Sequence, residues 1–400
     1  MTALLPATLL LALGAVVLVA GLAKRMPALA ILGATILFSH ATPLLSRPDN
    51  AQAETVLVMT MVASLGWCLG YVLLALAPPL PALPYFPQPA PPRRLHTVFL
   101  ATLLVLVAAA PDGPPGFLAS GLARIPVEST LFSLTYVAAC AAAFTTSLLL
   151  VHATASGGRP PIFSMAVILV VFWSLGGRGQ FVVTALTFLL IYGGYGRPRP
   201  AVLALLALVL IVLAAFTLSF RLSIQGRETD VMSALPIMMG QVSLLDGYAL
   251  SARYVENFGH QAGHYLDTLQ QLLPRALFPE KPPQLSRELR IMSARDTLGG
   301  LTPGLVGESY VTGGHAMVAA LATLFGGVLA LLDKAWQRLP LLSPSRQAVL
   351  AGLLPVLSIF ALRGGFDTAI FRVAVLFGIA TFVALRPTLR QVQMAGLPRS

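Results

Sequence analysis

Phe220-Arg221-Leu222-Ser223-Ile224-Gln225-Gly226-Arg227-Glu228-Thr229-Asp230 marks the place where a 400-residue chain of apolar blocks opens into its only long polar-containing segment. That segment runs to Gly314 and holds eight of the basic and nine of the acidic residues. Connections longer than about 15 residues are usually functional or disordered. This one is too rich in Leu, Met, Tyr and Phe to be a solvated tail. It reads as a folded, non-cytoplasmic cap over a membrane-embedded site, with the chemistry at its edges.

The chain around it is 56% hydrophobic and only 10% charged, with a mean hydropathy of +0.82. A soluble domain carries about 25% charged residues. Runs of about 20 apolar residues suit membrane-spanning helices, and the sequence supplies many. The expected fold is all-α, a polytopic transmembrane helix bundle. A net charge of +11 raises the possibility of nucleic acid, but the basic residues are scattered at helix ends rather than gathered in a patch. Membrane topology accounts for them. Cys68 and Cys140 both lie inside apolar runs, which points to neither a disulfide framework nor a Cys-based zinc site. The first apolar run lacks a charged leading region and is followed by Lys24-Arg25, so no cleavable signal peptide is expected.

Hydropathy places about eleven spans. The first three cover Ala3 to Ala23, Pro27 to Leu45 and Thr55 to Ala77, and a Pro-rich connector from Pro78 to Pro92 follows. The next five run Leu95 to Ala110, Val127 to Val151, Ile162 to Gly176, Phe181 to Tyr195 and Ala201 to Ser219. Beyond the long loop come His315 to Leu332, Gln347 to Leu362 and Thr368 to Leu385. The chain therefore divides into helices 1–8 over residues 1–219, the loop over 220–314, and helices 9–11 with a short tail over 315–400.

Lys and Arg in the short connections set the orientation. One side holds thirteen (Lys24, Arg25, Arg93, Arg94, Arg159, Arg197, Arg199, Lys334, Arg338, Arg346, Arg386, Arg390, Arg399), the other only Arg47, Arg124, Arg178 and Arg363. The richer side is cytoplasmic. The N-terminus and the long loop then lie outside and the C-terminus inside, as an odd span count requires. Within the loop, Tyr265, Leu266, Leu269, Leu272 and Leu273 recur at helical spacing up to Pro274. A helix packed on the cap and a helix lying on the membrane surface both fit that pattern.

Four arginines sit at the outer boundary. Arg178 lies in the short hairpin Gly176-Gly177-Arg178-Gly179-Gln180, and Arg221 ends the eighth span. Arg363 begins the hairpin Arg363-Gly364-Gly365-Phe366-Asp367, and Arg372 falls about one turn into the last span. Arginine within a membrane is costly and usually faces a cavity, a partner or a substrate. Its fork of donors suits phosphate oxygens. Snorkelling to headgroups, or pairing of Arg363 or Arg372 with Asp367, are the plainer readings.

The loop closes on Thr302-Pro303-Gly304-Leu305-Val306-Gly307-Glu308-Ser309-Tyr310-Val311-Thr312-Gly313-Gly314-His315, read as a Gly-rich turn before the ninth span. Glu308 there suits a general base on a hydroxyl acceptor, an anchor for an arginine, or a plain interfacial charge. Tyr310 and His315 are its neighbours in sequence, and His315 also fits a simple interfacial role. His260 and His264 have i, i+4 spacing without a glutamate between them, so the zinc-protease pattern fails and no metal is expected. The few acidic residues in the spans argue against an ion-coupled pump.

The hairpin at 176–179 resembles the bacterial oligosaccharide-repeat-unit (O-antigen) polymerases. So does Leu273-Pro274-Arg275-Ala276-Leu277-Phe278-Pro279-Glu280-Lys281-Pro282, with Thr302-Pro303 and Gly307-Glu308-Ser309-Tyr310 beyond it. The resemblance extends over residues 162–327, with the pattern of many spans and one large periplasmic loop forming a helical cap. It implies a bacterial inner-membrane enzyme acting at the periplasmic face on undecaprenyl-pyrophosphate-linked oligosaccharides, among membrane lipids, with a chain-length regulator as protein partner. The growing chain would pass to the non-reducing sugar of another repeat unit, with lipid pyrophosphate leaving and no cofactor or nucleotide sugar required. Arg178, Arg221, Arg363 and Arg372 would then hold pyrophosphate, Glu308 would be the base, and Arg275, Lys281, Tyr310 and His315 would be further contacts. Arg178 and Glu308 carry the chemistry in this reading. An O-antigen ligase, a lipid-linked oligosaccharide flippase or exporter, and a non-enzymatic membrane scaffold are the alternatives.

The charge bias has a direct test. A cysteine placed at Gln284 is expected to react with an impermeant thiol reagent from outside the membrane, and one placed at Pro198 to be protected; the opposite pattern reverses the topology.

Overall fold

The computed structural model describes residues 4–46, 53–78, 96–97, 99–104, 130–174, 178–195, 244–270, 285–292, 303–338, 344–357, 365–366, 369–370, 373–376 and 378. These are almost all helical, and no strand occurs among them. Five helical stretches are long and apolar enough to cross a membrane: Leu5–Ala23, Pro27–Leu44, Ala53–Leu76, Tyr136–Ala155 and Gly304–Gln337. Ile162–Phe172 and Gln180–Tyr192 are shorter apolar helices. The expected eighth span lies outside the described residues, and the fourth, tenth and eleventh are described only in part.

Contacts divide the chain into two compact units, one of residues 1–81, 232–337 and 356–371 and the other of 82–231, 338–355 and 372–400. In the first, α1 (Leu4–Ala23) and α2 (Pro27–Thr35) form a tight hairpin. Arg25 takes φ 54°, and the turn is closed by Met26 N–H to Gly21 O (2.8 Å) and Arg25 N–H to Leu22 O (3.3 Å). This is the paired hydrogen-bond pattern that ends helices on a left-handed residue. Pro27 then starts α2, where its missing N–H costs nothing. The helices meet at Gly14, Gly21 and Gly33, each facing backbone of its partner (Leu37, Ala30 and Leu18), where a side chain would not fit.

The second span was expected as one helix over Pro27 to Leu45. It is helical, but a π-turn at Ile36–Ala41 separates α2 from α3 (Thr42–Ser46). His40 is fully buried in the turn, stacked on Trp67 of α4 (Ala53–Leu76). Its Nδ1 lies 3.0 Å from Ser64 Oγ and its Nε2 2.9 Å from the Tyr248 hydroxyl, which satisfies both ring nitrogens.

In the second unit, α5 (Thr130–Ala155), α6 (Ile162–Ser174), α7 (Arg178–Tyr195) and α12 (Pro344–Pro355) pack together. Thr145, Thr146 and Ser147 return their hydroxyls to the carbonyls four residues earlier, which hides these polar groups inside an apolar helix. Tyr136 donates to Gln180 Oε1 at 3.1 Å and ties α5 to α7.

The loop contributes three helices to the first unit: α8 (Leu245–Phe258), α9 (His264–Gln270) and α10 (Leu285–Met292). Leu285 and Leu289 of α10 are buried with Tyr254 and Val311, and Tyr254 donates to Glu288 at 2.9 Å. On α9 Tyr265 packs on Ser309 and Phe366 while Leu266 is 68% exposed, so these two members of the expected apolar face part ways; Leu272 and Leu273 lie outside the described residues.

The central element is α11 (Gly304–Gln337), which packs most extensively on α4. Gly66 and Gly70 of α4 face Ala322 and Thr323, and Gly326 of α11 faces the Trp67 carbonyl. Small residues at such a seam let helix backbones approach closely, which is how apolar helices associate where burial from water gives no drive. At the end of α11, Asp333 is 1% exposed and accepts from the N–H groups of Ala28 (2.9 Å) and Leu29 (2.9 Å) and from the Tyr71 hydroxyl (2.6 Å). Lys334 Nζ donates to the Ala77 carbonyl just beyond α4 at 2.5 Å.

Gly70→Ala sets its new methyl into the Thr323 carbonyl. Overpacking of this kind costs about 1–3 kcal/mol, so the purified protein should melt several degrees lower in detergent. Gly263→Ala, whose nearest neighbour is Asp267 Oδ2 at 4.0 Å, should leave the melting temperature unchanged.

Candidate active site at the broken helix

The ninth span was expected to begin at His315 after a Gly-rich turn. Instead α11 begins at Gly304 and carries Glu308 and Tyr310 on a helical segment, interrupted at Gly313-Gly314. Gly314 adopts φ 65°, which a residue with a side chain rarely does. The glycines that suggested a loop break the helix rather than prevent it.

Glu308 is 2% exposed, and its Oε2 accepts the Phe366 N–H at 2.6 Å. Phe366 follows Gly365, which has φ 95°. A side chain at Gly365 would enter the space of the Glu308 carboxylate. Two of the three glycine-rich stretches singled out in the sequence, 302–315 and 363–367, therefore meet at this carboxylate. Glu308 grips the Phe366 backbone; Arg363 lies outside the described residues.

Tyr265 of α9 completes this face. Its hydroxyl lies 3.1 Å from Ser309 Oγ, and its ring meets Phe366 edge-on at 5.3 Å. Burial, then the nearby Glu308 charge, push its phenol well above the usual tyrosine range, partly opposed by hydrogen bonds to Ser309 and Thr312. The phenol therefore stays protonated beside the carboxylate at any ordinary pH.

Tyr310 follows Glu308 by two residues, about 200° around a helix, and so faces the other way. Its ring lies 5.0 Å from that of His315 and 5.9 Å from that of His260, both edge-on. His315 Nε2 is buried with no hydrogen-bond partner among the described residues. Tyr310 and His315 thus come together, but on the face opposite the carboxylate. Arg178 is the first residue of α7 in the other unit, and its side chain is not among those described. Arg221, Arg275, Lys281 and Arg372 lie outside the described residues.

Sequence reasoning missed Phe366, Tyr265 and His260 as site residues. Tyr265 was hidden in an apolar repeat, and His260 counted only as half of a failed metal pair. Phe366 acts through its backbone N–H, which no side-chain pattern reveals.

No protein-family model matches this chain, and no curated protein or solved structure matches it significantly.

Gly365→Ala tests the seat of the carboxylate. The substitution strains a left-handed backbone and crowds Glu308, effects of about 1–3 kcal/mol. A fall of several degrees in melting temperature is expected, with the double variant Gly365→Ala/Glu308→Ala recovering part of it; strict additivity would show that the two positions do not touch.

Proposed function

We propose that this chain is a membrane glycosyltransferase that polymerises undecaprenyl-pyrophosphate-linked oligosaccharide repeat units into O-antigen or exopolysaccharide. The reaction is assigned to the periplasmic face of the bacterial inner membrane. About eleven spans, a periplasmic N-terminus and cap, and a cytoplasmic C-terminus belong to the same reading, from the thirteen-to-four basic asymmetry. The observation that carries it is a buried carboxylate, Glu308, held by the Phe366 backbone N–H on the short segment that precedes the break in a membrane-length helix.

The chemistry asks for two things. An acceptor sugar hydroxyl attacks the anomeric carbon of the donor chain and gives its proton to Glu308, as a positioned carboxylate allows. A new C–O bond forms as the bond to the lipid pyrophosphate breaks, and the electron pair leaves with that pyrophosphate. Positive charge placed where this anion develops lowers the barrier. Arg178, Arg221, Arg363 and Arg372 are the proposed source, with Arg275 and Lys281 in support from the cap. Tyr265, kept protonated beside Glu308, orients the acceptor as a neutral hydroxyl group.

The test is in vitro polymerisation of purified lipid-linked repeat units by wild type, Glu308→Gln and Arg178→Lys at matched protein levels. Glu308→Gln should leave single repeats, because the base is gone while the shape remains. Arg178→Lys keeps the charge and loses the fork; a charge-assisted hydrogen bond is worth about 1.5–3 kcal/mol, so activity should fall about ten- to a hundredfold. Normal polymer from Glu308→Gln removes the base from this reading. Accumulation of long lipid-linked polymer in a deletion strain, rather than single periplasmic units, reassigns the chain as a ligase.

A further inference from the structure

A helix that stops inside a protein leaves its last carbonyls without intrahelical donors. The segment Gly304 to Thr312 stops at Gly313-Gly314, and two of the carbonyls nearest the break are met from outside the helix. His260 Nδ1 lies 3.0 Å from Tyr310 O, and Gln261 N–H donates to Val311 O at 2.8 Å. A carbonyl only accepts, so Nδ1 is the protonated nitrogen of His260. The imidazole also lies against the break, its Cε1 3.4 Å from where a Cβ on Gly314 would stand.

The turn that supplies these donors joins α8 to α9, and both helices hold the same short segment. Gly307 packs so closely on Ser251 of α8 that a Cβ there would stand 2.6 Å from Ser251 Oγ. Tyr265 of α9 reaches Ser309 at 3.1 Å. Contacts at 307, 309, 310 and 311 thus surround Glu308 in sequence, and all come from one helix–turn–helix. The His260–Gln261 turn is the contact that acts on the broken end.

We infer that the His260–Gln261 turn caps the broken half-helix from outside it, and that His260 is a positioning residue that sets the place of Glu308. The second clause rests on the proposed role of Glu308; the first does not. Without the cap the last turn of the half-helix frays, and the carboxylate two residues before Tyr310 loses its fixed approach to Phe366. His260 itself touches no reacting atom in this scheme.

The test uses the full chain in nanodiscs with three variants. His260→Phe keeps a flat ring and removes the donor, whereas His260→Asn places an amide N–H near the position of Nδ1. Hydrogen exchange is followed over residues 304–312 together with kcat and KM for lipid-linked repeat units. His260→Phe should speed exchange in that peptide about tenfold and lower kcat by a similar factor with KM little changed, the effect of losing one hydrogen bond of ordinary strength. His260→Asn should restore both. Unchanged exchange in His260→Phe, or an Asn variant as impaired as the Phe variant, overturns the inference. The third variant, Glu308→Gln, separates the two clauses: full activity there, with exchange in His260→Phe still raised, upholds the cap and removes Glu308 as the base, whereas no polymerisation by wild type, with that exchange still raised, upholds the cap and rejects the glycosyltransferase assignment.

Discussion

The carboxylate of Asp333 is the constraint on which the first unit depends. Helix α2 starts with Met26 before it, a residue whose side chain cannot cap, so its first N–H groups must find acceptors elsewhere. Left unmet in an apolar setting, each such group costs about 1–3 kcal/mol or more. Asp333 meets two of them and takes the Tyr71 hydroxyl as well. One side chain thereby fixes the height of α11 against α2 and α4 together. Lys334, its neighbour, closes the carbonyl end of α4.

With that height set, the glycine seam can mate in only one register. Gly66 and Gly70 must meet Ala322 and Thr323 while Gly326 meets Trp67, and a slip would drive side chains into backbone. The same register brings α4 alongside the π-turn, where Ser64 and Trp67 close on His40 and α8 adds Tyr248. His40, Ser64 and Tyr248 satisfy one another's buried polar groups here, which ties the α1–α2 hairpin to the loop helices. The described helices of the loop are thus a packed part of the first unit.

At its other end α11 has a different task. A continuous helix would carry Glu308 on a long rod whose orientation the seam alone decided. The break at Gly313-Gly314 frees the first nine residues to follow α8, α9 and the 365–366 backbone instead. The segment's two faces then diverge: carboxylate, Tyr265 and Phe366 on one, Tyr310 with its two histidines on the other. Proximity in sequence made Glu308, Tyr310 and His315 look like one constellation, whereas about 200° of helix turns Tyr310 away from Glu308 and the break lets His315 meet Tyr310 instead.

The amino-acid sequence by itself determined that the chain is helical and where the apolar helices α1, α4, α5, α6 and α7 lie to within a few residues. Those properties are sums or periodicities over neighbouring residues, and hydropathy reports them directly. Only the tertiary structure decided that Glu308 sits on a helix, that it grips a backbone N–H at Phe366, and that His260 meets Tyr310. It alone decided that Asp333 caps a helix some three hundred residues earlier in the chain. Each of these joins a side chain to a main-chain group far away in sequence. Every residue offers the same N–H and C=O groups, so no pattern of side chains marks which of them will be the partner.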